Sequence, residues 1–174
     1  MVASGWNPVA FGKVMLTLEE TLEQIKMSNP GSRMQTETRY LTQSQLQEAR
    51  SAAGVEVPSA LVVRKVLISS SGKTLEFIYT DTHRVRTHPE TLLLRVGPDQ
   101  ELKRIEVLSF DEPMEYLPKP LWFGTFQNKK LTPELEIKGG IPMVTGASLS
   151  ARSVVEASRR ILAIHKVLEG THRP

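Results

Sequence analysis

Apolar side chains recur at helical spacing through the last part of the chain. They stand at Ala151, Val154, Val155, Ile161, Leu162 and Leu168. This period places them along one face of an α-helix and leaves the opposite face polar. The pattern therefore predicts a long helix, starting near Leu149, that packs firmly on the rest of the domain.

Two shorter helices are predicted near the N-terminus by their capping residues. The capping-box pairs are Thr17 with Glu20 and Thr42 with Gln45. In each pair a hydroxyl and a Glu or Gln side chain satisfy the first free N–H groups of a helix. The first helix should span residues 18–27, and the second should end near Gly54. A strand is predicted between them over residues 33–41.

From residue 60 onward the pattern changes to short runs rich in β-branched and aromatic residues. Strands are predicted over residues 60–68, 74–80, 91–96 and 101–110. The connections contain Gly, Pro, Ser or Asp, as hairpin turns do. One sheet is expected, and the apolar run over residues 121–126 is expected to form a short helix whose aromatic side chains enter the core.

Composition and charge narrow the class of protein. The chain has 174 residues, of which 40% are hydrophobic, so it suits one domain with an N-terminal appendage. The net charge of +3 is small and is not gathered in one run, so no nucleic-acid partner is indicated. The absence of Cys excludes disulfides and iron–sulfur ligation. Residues Met1–Trp6 do not look like a signal peptide and no run is long enough to span a bilayer, which favours a soluble chain.

Directly before the long helix, a run of small and hydroxyl residues predicts a ligand loop. Gly146 and Ala147 would let a backbone approach a bulky group closely, and Thr145, Ser148 and Ser150 would place hydroxyls around it. A helix N-terminus adds unsatisfied N–H groups and about half a positive charge, which suits a phosphate. Ser and Thr are also ordinary helix-capping residues, so a purely structural loop is the alternative. A Gly-x-Ser-x-Gly hydrolase elbow is disfavoured because the fifth position is Ser150 and only a helix and short tail follow.

Residues 145–152, Thr-Gly-Ala-Ser-Leu-Ser-Ala-Arg, resemble the Ser-Gly-Ala-Thr-Leu-Thr-Ser signature of the FMN-binding domain family. That family includes extracytoplasmic subunits of sodium-pumping NADH:quinone reductase and of Rnf complexes, and regulators of nitrous-oxide reduction. The resemblance covers residues 60–168. It implies an α+β fold in which a small twisted antiparallel sheet is packed by the long C-terminal helix. We accordingly divide the chain into an N-terminal helical extension, residues 1–59, and an FMN-binding-like domain, residues 60–174.

The resemblance also implies a cofactor and a set of site residues. In the family, FMN is often joined by a phosphoester bond to the last hydroxyl residue of the signature, which here is Ser148. Glu112 matches the Glu of a His-x-Glu-Thr-Pro-Gly stretch that precedes the flavin site, although the other residues of that stretch are replaced. Leu149 and Tyr116, with Met114, would supply walls for the isoalloxazine ring.

The expected activity follows from the same resemblance. It is that of an electron carrier or redox-complex subunit rather than an independent enzyme, working outside the cytoplasm. Redox partner proteins, a membrane complex and a flavin transferase are the implied partners. One departure leaves an alternative open: Pro142 stands where flavinylated relatives carry the Asp that the transferase recognises, and Ser148 replaces their usual Thr. A flavin-free domain that serves as an assembly or interaction subunit is therefore the second hypothesis.

Residues 81–90 form a second dense cluster, with two His and two Arg beside Asp and Glu. The cluster is compatible with ion pairs inside the fold, with contact to a ligand or partner, or with a metal. On one extended strand His83 and His88 would face opposite sides, which disfavours the metal. The run over residues 86–92 also resembles the Arg-Thr-x-Pro-Glu-Thr-Leu segment of some FMN-binding proteins, and there Thr87 is the predicted ligand contact.

Overall fold

A computed structural model describes residues 13–170 of the chain. The predictions made for Met1–Trp6 lie outside these residues. Within them the strands are β1 (Lys13–Val14), β2 (Arg33–Tyr40), β3 (Leu61–Ile68), β4 (Thr74–Arg84), β5 (Pro89–Val96) and β6 (Leu102–Phe110). The α-helices are α1 (Leu18–Met27), α2 (Gln43–Ala53), α3 (Pro120–Phe123) and α4 (Ser148–Gly170). Two short 3-10 helices are Met114–Tyr116 and Gly124–Phe126.

Both predicted capping boxes are confirmed. The Thr17 hydroxyl accepts from the Glu20 N–H at 3.1 Å, and the Glu20 carboxylate accepts from the Thr17 N–H at 2.9 Å. Thr42 and Gln45 make the same reciprocal pair at the start of α2. Gly54 ends α2 in the left-handed conformation at φ 66°, where a residue without Cβ meets no steric penalty.

The strands form one sheet in the order β1-β6-β5-β4-β3-β2, and each neighbouring pair is antiparallel. The α+β class is confirmed, with a long C-terminal helix packed on an antiparallel sheet. The segment assigned to an N-terminal extension contributes β2, which pairs with β3 along its whole length. It also contributes α2, which packs against α4. Residues 1–59 and 60–174 therefore share one sheet and one core within the described part of the chain.

Each face of the sheet is covered by helices. On one face α1 inserts Ile25 against the buried side chains of Leu67, Ile78, Leu93 and Leu108. The other face carries the larger core, which α2 and α4 complete. Four side chains of α4 were predicted to pack against the sheet, and all four are buried: Val154, Val155, Ile161 and Leu162.

No helix within residues 13–170 has the length and apolar character needed to cross a membrane.

A buried polar cluster lies under the C-terminal half of α4. His165 Nδ1 and the Tyr79 hydroxyl are 2.9 Å apart, and Arg64 Nη1 donates to the same hydroxyl at 3.0 Å. Arg64 Nη2 lies 2.8 Å from Glu37 and 2.7 Å from Glu169, so two carboxylates compensate its charge. A buried guanidinium needs such partners, because an unpaired charge in the core is strongly destabilising.

Burial and charge disfavour protonation of the histidine in this cluster. Arg64 Nη1 donates to the Tyr79 oxygen, and Tyr79 and His165 Nδ1 share a second hydrogen bond. His165 Nε2 is buried and has no hydrogen-bond partner within the described residues. Burial and the nearby Arg64 charge lower the pKa of His165 to about 4.

We predict that Val155→Asp lowers the free energy of unfolding by about 4 kcal/mol or more, because it places an unpaired carboxylate in an apolar layer. Lys166→Asp is the matched control, since Lys166 is exposed on the same helix. It should cost less than about 1 kcal/mol. Urea unfolding of both variants measures the difference, and similar stability of the two would contradict the burial of Val155.

The pKa of His165 gives a second prediction. Its value in the folded state lies below the ordinary 6.5, so unfolded chains bind a proton first and stability falls as the pH drops from about 6.5 to about 4. The loss should reach about 3 kcal/mol at the lower pH. His165→Asn keeps an acceptor for Tyr79 but does not titrate, so its stability should depend less on pH in this window. Parallel slopes for the two proteins in chemical unfolding would refute this.

Candidate functional site

The site is built around the first turn of α4. The helix begins at Ser148, so the residue before it is Ala147, which has no side-chain acceptor. Within residues 13–170 the N–H groups of Ser148, Leu149 and Ser150 donate to no side-chain or backbone oxygen. These three amides therefore remain donors with a partial positive charge. Gly146 makes the turn into the helix at φ 82°, a left-handed conformation that favours glycine.

A small cavity of about 20 Å³ opens at this helix start. Its lining residues are Arg86, Tyr116, Gly146, Ala147, Ser148, Leu149 and Ser150. The Ser150 side chain is 1% exposed, and its hydroxyl has no hydrogen-bond partner within the described residues. The cavity holds about one water molecule, so it is a polar recess rather than a pocket for a large ring.

The Glu112 carboxylate organises the turn that faces this recess. Its Oε1 accepts from three consecutive backbone N–H groups, those of Arg86 at 3.1 Å, Thr87 at 2.8 Å and His88 at 3.0 Å. Burial alone would raise the pKa of Glu112, but the three amide donors outweigh it and lower the pKa to about 2. The Glu112 carboxylate is therefore ionised and stabilises the turn over residues 86–88.

Arg86 is the residue that this turn presents to the site. Its guanidinium carbon lies 4.7 Å from the centre of the Tyr116 ring, within the range of a cation–π contact. The guanidinium itself makes no hydrogen bond or ion pair within residues 13–170, and the cation–π contact is its one described interaction. The side chain is exposed. The unpaired Arg86 guanidinium therefore lines the same recess as the uncapped amides and the buried Ser150 hydroxyl.

The structure brings some of the predicted site residues together and separates others. Tyr116 and residues 146–150 share the recess. Thr145 is exposed and does not line it. Thr87 donates its N–H to Glu112, and its hydroxyl lies 2.9 Å from His88 Nδ1, so it supports the turn and does not line the recess. Leu149 lines the recess and is 39% exposed, whereas Met114 lies outside the lining.

Trp122 anchors the chain just before residues 145–150, the segment that resembles the FMN-binding signature and is called the signature loop below. Its Nε1 donates to the Pro142 carbonyl at 2.9 Å, and its ring packs edge-to-face on Phe123 and Phe126. The predicted short helix is confirmed as α3, and Trp122 and Phe126 enter the core as predicted. Leu121 is different, because it is 92% exposed. The anchored carbonyl holds the chain in place six residues before Ser148.

The cluster over residues 81–90 is a hairpin and not one extended strand, which corrects the geometry used in the sequence analysis. β4 continues to Arg84, and β5 begins at Pro89. His83 bridges Asp81 and Glu90 at 2.9 Å on each side, and Arg160 of α4 makes a bidentate pair with Asp81. Asp81, His83 and Glu90 therefore form ion pairs within the fold, whereas Arg84 and Arg86 of the same cluster have no acidic partner within residues 13–170.

Protonation supports the same interpretation of this cluster. Burial opposes the charged form of His83, but its two carboxylate partners outweigh this and raise the pKa of His83 to about 9. At neutral pH the imidazolium therefore sits between two acids. Within residues 13–170 no group of three or more metal-ligating side chains is arranged to hold a metal ion.

No family model, curated protein or solved structure matches this chain. The resemblance to the FMN-binding domain family therefore stays a prediction made from the sequence motifs.

Arg86 is the site residue that sequence reasoning missed. It was noticed only as one of the charges in residues 81–90, and Thr87 was favoured instead. Arg86 and Tyr116 are 30 residues apart, and no spacing rule links them.

We predict that Glu112→Gln lowers the free energy of unfolding by about 1–3 kcal/mol at pH 7, because a neutral amide is a weaker acceptor for three N–H groups. The pKa of Glu112 is depressed, so its stabilisation is present above about 4.5 and is lost as the pH falls toward 2. The gap between wild type and variant should narrow over that range. Glu115→Gln, in the same loop but exposed, should have little effect. Equal stability of Glu112→Gln and wild type at pH 7 would exclude this role.

Proposed function

We propose that this chain is an FMN-binding protein that carries electrons as a subunit or partner of a redox complex. The observation that carries the proposal is the start of α4, where uncapped amides, the buried Ser150 hydroxyl and the unpaired Arg86 cation surround one recess. Such a set of donors recognises an anion. The motif resemblance then names the anion as the phosphate of FMN.

The residues of the recess fit a phosphoryl group. A phosphate oxygen is small enough for a cavity of about 20 Å³, and it would give Ser150 the partner that it lacks. The buried carboxylate of Glu112 does not line the recess, and three backbone amides partly compensate its charge. Burial of Ser150 without a partner costs free energy that binding of an anion would recover.

The recess is too small for an isoalloxazine ring, so the ring of a bound flavin would lie outside it. Leu149 is partly exposed at its rim, and Tyr116 offers an aromatic surface. These side chains would shield one part of the ring from water and so influence its redox potential. The flavin supplies the electron-accepting chemistry when bound. The protein supplies the phosphate anchor and the orientation.

Ser148 is the proposed attachment site if the flavin is covalently bound. Its hydroxyl is exposed at the first residue of α4, where a transferase can reach it. Attachment forms a bond from the Ser148 oxygen to phosphorus, breaks the pyrophosphate bond of a flavin dinucleotide donor, and releases the nucleotide and a proton. Pro142 replaces the expected carboxylate, so enzyme recognition should suffer more than phosphate binding.

The alternative is a flavin-free scaffold that serves as an assembly or interaction subunit. Two observations favour it: the recess admits little more than a water molecule, and the Arg86 guanidinium covers the Tyr116 ring. Under this hypothesis the Arg86–Tyr116 contact closes a former flavin site. In both hypotheses the redox partners, the membrane complex and the extracytoplasmic location rest on the family resemblance alone.

Titration with FMN tests the proposal directly. The purified protein should quench FMN fluorescence with a saturable dependence on protein concentration, and Tyr116→Ala should weaken binding or shift the flavin potential because it removes an aromatic wall. Tyr40→Ala is the matched control, since Tyr40 is exposed on β2. If the wild type does not bind FMN or carry it from its native source, the scaffold hypothesis becomes the better one.

The covalent form is tested by co-expression with a flavin transferase. Pro142→Asp should gain the mass of one FMN and a fluorescent band in a denaturing gel more fully than wild type, and Ser148→Ala should lose both. A band that persists in Ser148→Ala would move the attachment to another residue. If Pro142→Asp also fails to gain FMN, the covalent form is excluded and only reversible binding remains to be judged.

A further inference from the structure

The Arg86 guanidinium has no acidic partner within residues 13–170. It differs in this from the arginines that are held in the fold by carboxylates, namely Arg64 with Glu37 and Glu169, Arg95 with Glu76, and Arg160 with Asp81. Arg86 contacts only the face of Tyr116. All five of its N–H donors are left for a group that the described chain does not supply.

The backbone that carries Arg86 is held in place at several points. Three consecutive amides, including its own, donate to Glu112, and Arg84 Nη1 donates to the Thr87 carbonyl at 3.0 Å. The Val85 N–H donates to the His88 carbonyl across the same turn. A rigid base lowers the entropy lost when a long side chain is ordered on a ligand.

A second observation points to a ligand at the same place. The Ser150 hydroxyl is buried, has no partner within residues 13–170 and lines the recess that Arg86 also lines. Buried hydroxyls are normally satisfied, so an orphaned one beside a free cation indicates a missing acceptor. An acceptor that satisfies Ser150, the α4 amides and a guanidinium together must be anionic and must offer several oxygens.

We propose that Arg86 is the residue that makes this site specific for a 5′-phosphorylated flavin, by leaving the Tyr116 ring and pairing with the phosphate. This inference rests on the proposed function and extends it. In the free protein the guanidinium covers the ring face of Tyr116. When the phosphate takes the guanidinium, that face becomes available to the flavin. One movement then couples recognition of the phosphate to exposure of an aromatic surface.

The test compares FMN with riboflavin, which lacks the phosphate. Fluorescence titration of wild type should give tighter binding of FMN than of riboflavin. Arg86→Gln should weaken FMN binding by roughly tenfold to a hundredfold, the effect of losing one charge-assisted contact. It should not weaken riboflavin binding and should tighten it if anything, because the Tyr116 ring is no longer covered. Arg86→Lys should restore part of the FMN affinity, since it keeps the charge but loses the planar fork. Excess inorganic phosphate should weaken FMN binding to wild type and affect Arg86→Gln less.

Arg104→Gln is the matched control because Arg104 is largely exposed and lies on β6, outside the lining of the recess. It should bind both flavins as wild type does. Unfolding midpoints of all variants should agree within a few degrees, because the Arg86 side chain forms no hydrogen bond or ion pair in the described chain.

The failures are distinguishable. If wild type binds neither flavin, the proposed function and this inference both fall. If wild type binds FMN and Arg86→Gln keeps its preference for FMN, the flavin site stands and the role of Arg86 is wrong. If Arg86→Gln loses FMN and riboflavin equally, Arg86 supports the ring contact and the phosphate assignment is overturned.

Discussion

The packing of α4 on the sheet is the constraint on which the rest of the structure depends. Thirteen of its 23 residues are buried, so it is held on a broad face and not along a narrow stripe. Arg159 ties the same helix to the end of α2 by donating to the Ala53 carbonyl at 2.7 Å. Because the helix is fixed as a rigid rod, the position of its first turn is fixed with it. The donors of the candidate site are therefore located by apolar packing that begins at Ala151, three residues after the start of the helix.

A single buried carboxylate joins two of the three segments that meet at the site. Glu112 comes from the loop after β6, yet it holds the turn between β4 and β5, and the same loop places Tyr116 at the recess. Three backbone amides compensate the charge on Oε1, and the His88 side chain lies 3.4 Å from Oε2. The Arg86 guanidinium takes no part in stabilising Glu112, although the Arg86 N–H does. The backbone of residue 86 binds Glu112, and its side chain remains available for the phosphate in the proposed recognition of FMN.

Local signals in the sequence were sufficient to predict most of the helices and strands. The capping boxes at Thr17 and Thr42, the period-3.6 pattern after Leu149 and the turn residues between strands are all determined by neighbours a few positions away. Contacts between distant residues were not accessible in this way. The pairing of β2 with β3, the bend within residues 81–90 and the Arg86–Tyr116 contact each depend on how the elements assemble. The signature loop was found by motif, whereas its cation was found only from the folded chain.

The buried cluster of Arg64, Tyr79 and His165 has a consequence for the register of α4. An apolar face alone tolerates sliding, because one aliphatic side chain can replace another. A slide of one turn, about 5.4 Å, would bring Ile161 or Glu169 opposite Tyr79 and would leave Arg64 or the phenol with the wrong neighbour. These polar contacts are satisfied in only one register, so they fix the position of α4 along its own axis. His165 lies about 25 Å from Ser148, at a rise of about 1.5 Å per residue. The contacts of His165 therefore fix the position of Ser148 at the other end of the helix.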